Sequence, residues 1–215
     1  MKIPNLLMPD SPNFSCGPTK KPDIWEVKNL NQQFLGRYHR SDDVQDYVES
    51  IISRVKKILK IPEQYELIIT PGSTTGAMEA VIWSFLGENE ITTIVYDYWA
   101  VLWADDLKKL KFRIDLRYSL DGKIPSLENI PKENDVLFVW TGTSTGMSVN
   151  NCDFIKDKQE GLVISDITSG VFVYDIPWIK IDVSVFSWQK ALGGEAQHGM
   201  VVLSPKAKNR LKKKK

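Results

Sequence analysis

From residue 43 to residue 203, short apolar runs alternate with stretches of helical periodicity, and few architectures accommodate that order. Runs at 66–70, 92–96, 112–117, 136–140, 162–165, 183–187 and 199–203 are short, apolar and rich in Val, Ile, Leu and Phe, and read as strands. Residues 75–86 and 98–110 read as helices. The clearest helix is 43–60, where Val44, Tyr47, Val48, Ile51, Ile52, Val55, Ile58 and Leu59 share one face, Asp42 can cap the start and Pro62 follows the end. Strand–helix alternation of this kind predicts an α/β chain with a mostly parallel sheet flanked by helices. In such sheets ligands collect beyond the C-terminal strand ends.

Composition excludes several classes. With 42% hydrophobic and 26% charged residues, the chain suits an ordinary globular core. No run reaches the roughly 18–20 apolar residues of a membrane span, so no membrane partner is expected. The first residues hold one early lysine and no sustained apolar core, so no signal peptide is expected. Cys16 and Cys152 lie far apart with no metal-ligand spacing, which fits a reducing, cytoplasmic setting and no metal site. The formal charge of +1 conceals a basic end, KNRLKKKK, which leaves the rest of the chain net negative. That body is a poor nucleic-acid surface, and the basic end reads as solvated chain more readily than as a binding module. Residues 1–41, rich in Pro, Asn and Ser, read as an arm. Residues 42–205 form the main domain, and 206–215 a basic tail, disordered or a frayed helix. No internal repeat is present.

Three features fall at the expected strand ends. Asp166 follows the strand at 162–165, Lys190 lies just beyond that at 183–187, and a small-residue turn, Pro71-Gly72-Ser73-Thr74-Thr75-Gly76, leads from a strand into a helix. Singly each is weak. A lysine after a strand is usually a surface residue, an aspartate there is usually a turn or cap residue, and such turns are more often structural than anion-binding. Together and in this order they suit pyridoxal 5'-phosphate (PLP). Its aldehyde takes a lysine amine, its pyridine nitrogen needs a carboxylate to stay protonated, and its phosphate fits a helix N-terminus.

The local sequences are more specific. Phe186-Ser187-Trp188-Gln189-Lys190-Ala191-Leu192-Gly193-Gly194-Glu195, continuing to His198-Gly199-Met200, resembles the PLP-lysine segment of the phosphoserine aminotransferase family. So do Asn13-Phe14-Ser15-Cys16-Gly17-Pro18, His39-Arg40-Ser41, Thr143-Ser144-Thr145-Gly146 and Ser165-Asp166-Ile167-Thr168-Ser169. The resemblance runs from about residue 11 to about residue 211. It implies the large domain of a fold type I, class V PLP-dependent transferase, with a seven-stranded type of sheet, acting as a homodimer. It implies transfer of the amino group of L-glutamate to a phosphorylated 2-oxo acid, 3-phosphohydroxypyruvate, in serine biosynthesis, with a related substrate of pyridoxine biosynthesis used by some members.

The resemblance also implies roles. Lys190 would hold PLP as a Schiff base and then act as general base. Asp166 would pair with the pyridine nitrogen, and Trp99 would stack on the ring. Thr143 would bond the phenolic oxygen or its neighbourhood. Thr74, Thr75 and Gln189 would contact the phosphate. Arg40 matches the arginine that takes the substrate carboxylate, a bidentate task suited to a guanidinium. His39 matches a residue near the substrate phosphate, acting across the dimer. His198 reads as structural.

Two departures stand out. Thr141 occupies a position where relatives often carry Asn. The family also continues past the point where this chain stops, so the small C-terminal domain is expected to be absent. With it would go further basic substrate-binding residues and an Asn–Thr pair that reaches the partner's cofactor phosphate. Weak PLP binding and little transamination by the 215-residue chain alone are the expected consequence. The competing expectations are a catalytically impaired truncated relative, and another class V enzyme such as a serine–glyoxylate aminotransferase or a cysteine desulfurase.

Overall fold

All seven runs anticipated as strands pair into one sheet in a computed structural model, which describes residues 21–119 and 121–213. The motif at 13–18 lies outside the described residues. The strands are β1 (Glu66–Pro71), β2 (Ile91–Val95), β3 (Ile114–Tyr118), β4 (Asp135–Val139), β5 (Val163–Asp166), β6 (Val183–Ser187) and β7 (His198–Leu203). The helices are α1 (Asp42–Ile58), α2 (Ser73–Phe85), α3 (Tyr98–Lys109) and α4 (Pro205–Lys213). Sheet order is β1-β7-β6-β5-β4-β2-β3. β3, β2, β4, β5 and β6 run parallel, and β7 is antiparallel to both its neighbours.

Both sheet faces are covered, which explains why the central strands read as continuous apolar runs rather than alternating ones. On one face Leu137, Val139, Ile164, Val183, Val185 and Val201 meet α2 and α3 through Met78, Val81, Ile82, Trp103, Ala104 and Leu107. On the other, Val136, Phe138, Trp140, Phe186, Met200 and Val202 pack with Val55 of α1 and with loop residues such as Val149, Cys152, Ile155 and Trp178. Strand alternation thus assigns each of β2, β4, β5, β6 and β7 to two cores at once.

Three boundaries differ from expectation in ways that matter. The helix expected from residue 75 begins at Ser73, so the small-residue turn is itself the first turn of α2. Gly72 caps it with φ 83°, a left-handed conformation that side chains resist. Asp166 is the last residue of β5 rather than the residue after it. The N-cap of α1 is Ser41, not Asp42.

The apolar stripe of α1 is only half covered: Ile51, Ile52, Val55 and Leu59 pack on the core, while Tyr47, Val48 and Ile58 remain exposed. The basic end departs further from the reading of 206–215 as disordered or frayed. Residues Pro205–Lys213 form α4. Ser204 Oγ accepts the Ala207 N–H at 3.1 Å, a side-chain cap, and Pro205 occupies the first helical position where a missing N–H costs nothing. Lys206 donates to the Gln159 and Gly161 carbonyls and to Asp182 (2.8, 2.7 and 3.0 Å), and Arg210 pairs with the fully buried Asp135.

Candidate active site

The C-terminal ends of β4 and β5, the segment after β6 and the starts of α2 and α3 converge on one cleft of about 260 Å3. Seven of the residues singled out from sequence line it: Thr74, Thr75, Trp99, Thr143, Asp166, Gln189 and Lys190. His39 and Arg40 do not. Both lie exposed in the turn before α1, where the Arg40 carbonyl accepts from Gln45 and His39 packs edge-on to Tyr38.

Asp166 is the electrostatic centre. Its Oδ1 accepts the Thr168 N–H at 3.0 Å and its Oδ2 accepts the indole N–H of Trp103 at 3.2 Å. Burial pushes its carboxyl above the ordinary range, and the nearby Asp97 adds to the rise, while the bonds from Thr168 and Trp103 oppose it. Among the described residues Asp166 has no ion-pair partner, and a buried carboxylate in that position is costly; a cationic partner in the cleft would relieve that cost.

At the other end of the cleft, the Ser73 N–H reaches the Gln197 carbonyl at 3.2 Å. Thr74 and Thr75, in the first turn of α2, have no carbonyl of their own helix to bond, and their N–H groups form part of the positive end of the helix dipole. The Thr74 hydroxyl lies 2.9 Å from that of Thr168, tying this turn to the Asp166 loop. The Thr143 hydroxyl lies 2.6 Å from that of Ser169. Trp99 and Trp103 project from successive turns of α3 with ring centroids 6.5 Å apart, an aromatic wall. The Lys190 segment is folded back by bonds from Gly193 N to the Lys190 carbonyl and from Gly194 N to the Trp188 carbonyl, each 2.9 Å. Lys21 braces it through the Gly193 carbonyl and Glu195. Thr141 bridges Ser148 instead of turning its hydroxyl to the cleft, with the two hydroxyls 3.0 Å apart.

Trp103, and with it the cleft-lining Thr168 and Ser169, were given no role from sequence. Trp103 had a signal: it follows Trp99 by four positions, the spacing that puts two side chains on one helix face. Thr168 and Ser169 sat inside a quoted motif without a task.

The aminotransferase class-V family matches residues 20–214 of the chain. The chain belongs to the class-V aminotransferases. Over 206 residues it is 43% identical to the phosphoserine aminotransferase of Methanosarcina mazei and 40% identical to that of Methanosarcina barkeri, covering 95% of this chain and 56% of each relative. The chain therefore spans about half the length of these class-V relatives. Among solved structures, a phosphoserine aminotransferase from Cytophaga hutchinsonii superposes with a TM-score of 0.77 at 22% identity, over 85% of this chain and 52% of that one. One from Bacillus circulans subsp. alkalophilus superposes with 0.74 at 16%, over 92% and 57%. These structural likenesses establish the α/β fold of a class-V aminotransferase, as expected from the sequence. No helix among the described residues is long and apolar enough to cross a membrane, and no cluster of metal-ligating side chains occurs among them.

Proposed function

We propose that the cleft holds PLP and that the chain is the cofactor-binding portion of a phosphoserine transaminase, converting L-glutamate and 3-phosphohydroxypyruvate to 2-oxoglutarate and O-phospho-L-serine. The observation that carries this reading is the meeting, in one cleft, of an amine, a buried carboxylate, an indole wall and a helix N-terminus. The names of the two Methanosarcina relatives support the choice of substrate.

The donor set fits the cofactor. The buried Asp166 suits a protonated ring nitrogen, and the first turn of α2, with the Thr74 and Thr75 hydroxyls, suits a phosphate. Trp99 supplies a flat apolar face, and Gln189 and Thr143 line the same cleft with polar groups that would engage the phosphate and a ring oxygen. Bound PLP supplies a carbonyl that condenses with amines and a ring that draws electrons from the substrate's α carbon. Lys190 would hold the cofactor through its amine and would serve as the base that moves the proton of the substrate's α carbon. Asp166 would keep the ring nitrogen protonated, and the bonds from Trp103 and Thr168 keep Asp166 aimed. Trp99 excludes water from one side.

Lys190 is the one basic side chain among the described residues of the lining, and no arginine is present to take a substrate carboxylate. That observation favours a second reading, a chain that binds PLP yet transaminates poorly alone. Under the main reading His39 and Arg40 serve the cleft of a second copy in a homodimer, in the cytoplasm, as a step of serine biosynthesis. Spectral titration separates these. With PLP bound, L-glutamate should shift the visible band and 3-phosphohydroxypyruvate should restore it, with glyoxylate ineffective. A band that ignores both substrates would contradict transamination by this chain alone and select the second reading, the impaired chain. A response to glyoxylate would point to a different class-V branch.

A further inference from the structure

Asp97 is fully buried between two segments that each present a cleft residue. It is the N-cap of α3, and its Oδ1 accepts the N–H groups of Trp99 (2.8 Å) and Ala100 (3.4 Å). Its Oδ2 turns the other way and accepts both the N–H and the hydroxyl of Ser144, at 2.9 and 2.5 Å. The Ser144 hydroxyl oxygen in turn accepts the Tyr98 N–H at 3.0 Å. One carboxylate thus takes four donors from two segments, α3 with Trp99 and the loop after β4 with Thr143. Their approach is so close that a Cβ on Gly142 would fall 2.6 Å from Asp97 Cβ. A capping aspartate needs only its first oxygen for its helix. The second is committed to a loop 47 residues away.

We propose that Asp97 and Ser144 form a positioning bracket that sets the separation of the Trp99 indole and the Thr143 hydroxyl across the cleft. The role rests on the PLP reading given above. Neither residue lines the cleft, so they act through the two that do. Because the loop and the helix start share one carboxylate, they open together or not at all. Asp97 also places a negative charge beside Asp166, favouring a cation in the cleft.

Two measurements on the full chain test this. In ligand-free protein, amide exchange followed by mass spectrometry should accelerate in Ser144→Ala over 142–146 and 97–100 together. Acceleration in one segment alone, or in neither, overturns the bracket. With PLP titrated by absorbance, Ser144→Ala should weaken binding roughly fivefold, as expected for one partly exposed bond to a carboxylate, and Asp97→Asn by more than about tenfold. Both should reduce the circular dichroism induced in the cofactor band, and Ser144→Thr, which keeps the hydroxyl, should recover it. Variants that bind PLP with unchanged affinity and unchanged induced dichroism would also overturn the proposal. A wild-type chain that fails to bind PLP would defeat the cofactor reading instead, and the exchange result would still decide the bracket.

Discussion

Replacing Arg210 by methionine should cost the fold about 3 kcal/mol, the low end of the range for removing one partner of a buried ion pair. Arg210 Nη1 lies 2.8 and 2.7 Å from the two carboxylate oxygens of Asp135, whose side chain is 0% exposed while that of Arg210 is 13% exposed. Solvent can screen little of this interaction. Asp135 retains the Leu162 N–H (2.7 Å) and Asn89 Nδ2 (3.3 Å), which holds the loss toward the lower bound. Methionine preserves the apolar stem, so the change isolates the charge. Lys208, on the same helix, pairs with Glu66 of β1 and provides the control. Its side chains are 28% and 58% exposed, and Lys208→Ala should move stability by no more than about 0.5 kcal/mol. Urea unfolding followed by tryptophan fluorescence gives both values. Combining Arg210→Met with Asp135→Asn should recover more than half of the loss, since the stranded charge is then gone. A loss below about 1 kcal/mol for Arg210→Met, or equal effects at Arg210 and Lys208, would refute the claim that α4 is an anchored part of the fold.

Three further outcomes follow from the same reasoning. Asp166→Asn should stabilise the ligand-free chain at neutral pH while abolishing PLP binding. Burial raises the Asp166 pKa, so its contribution is present below the ordinary carboxylate value of 3.8 and is lost as pH rises through the higher folded value, and the variant's stability–pH curve should lack that decline. Burial pushes the Cys152 thiol up to about 12. In a Cys16→Ser background it should resist alkylation at pH 8 until the chain unfolds, and stability should fall between pH 9.0 and about 12 as the unfolded thiol alone ionises. Gly76→Ala would set a Cβ 2.7 Å from the Pro71 carbonyl oxygen, so thermal melting should report a loss of about 1–3 kcal/mol together with weaker PLP binding.

The central strands were legible because each run is short and buried on both faces, and the spacing of the runs left room for helices of ordinary length. Asp166 and Lys190 were legible because strand ends gather ligands in such sheets and because their local sequences resemble a known family. The start of α2 was placed two residues late, since Ser and Thr at a helix start look like loop until Gly72 is seen in its left-handed conformation. Trp103 and Asp97 escaped for a different reason: their partners, Asp166 and Ser144, are distant in sequence, and only the fold brings each pair within hydrogen-bond range. The basic end misled because lysines usually mark solvated chain. Asp182 and Asp135, which hold Lys206 and Arg210, carry no local sign of that task. His39 and Arg40 were recognised by resemblance alone, and one chain does not bring them to its own cleft.

The most direct measurement is covalent. The purified chain, equilibrated with excess PLP, is reduced with borohydride, digested and mapped by mass spectrometry. A pyridoxyl group on Lys190, much diminished in Asp166→Asn, is the result that amine and carboxylate serving one ring requires. Label spread over surface lysines in proportion to exposure, with Lys190 unmarked, would contradict it.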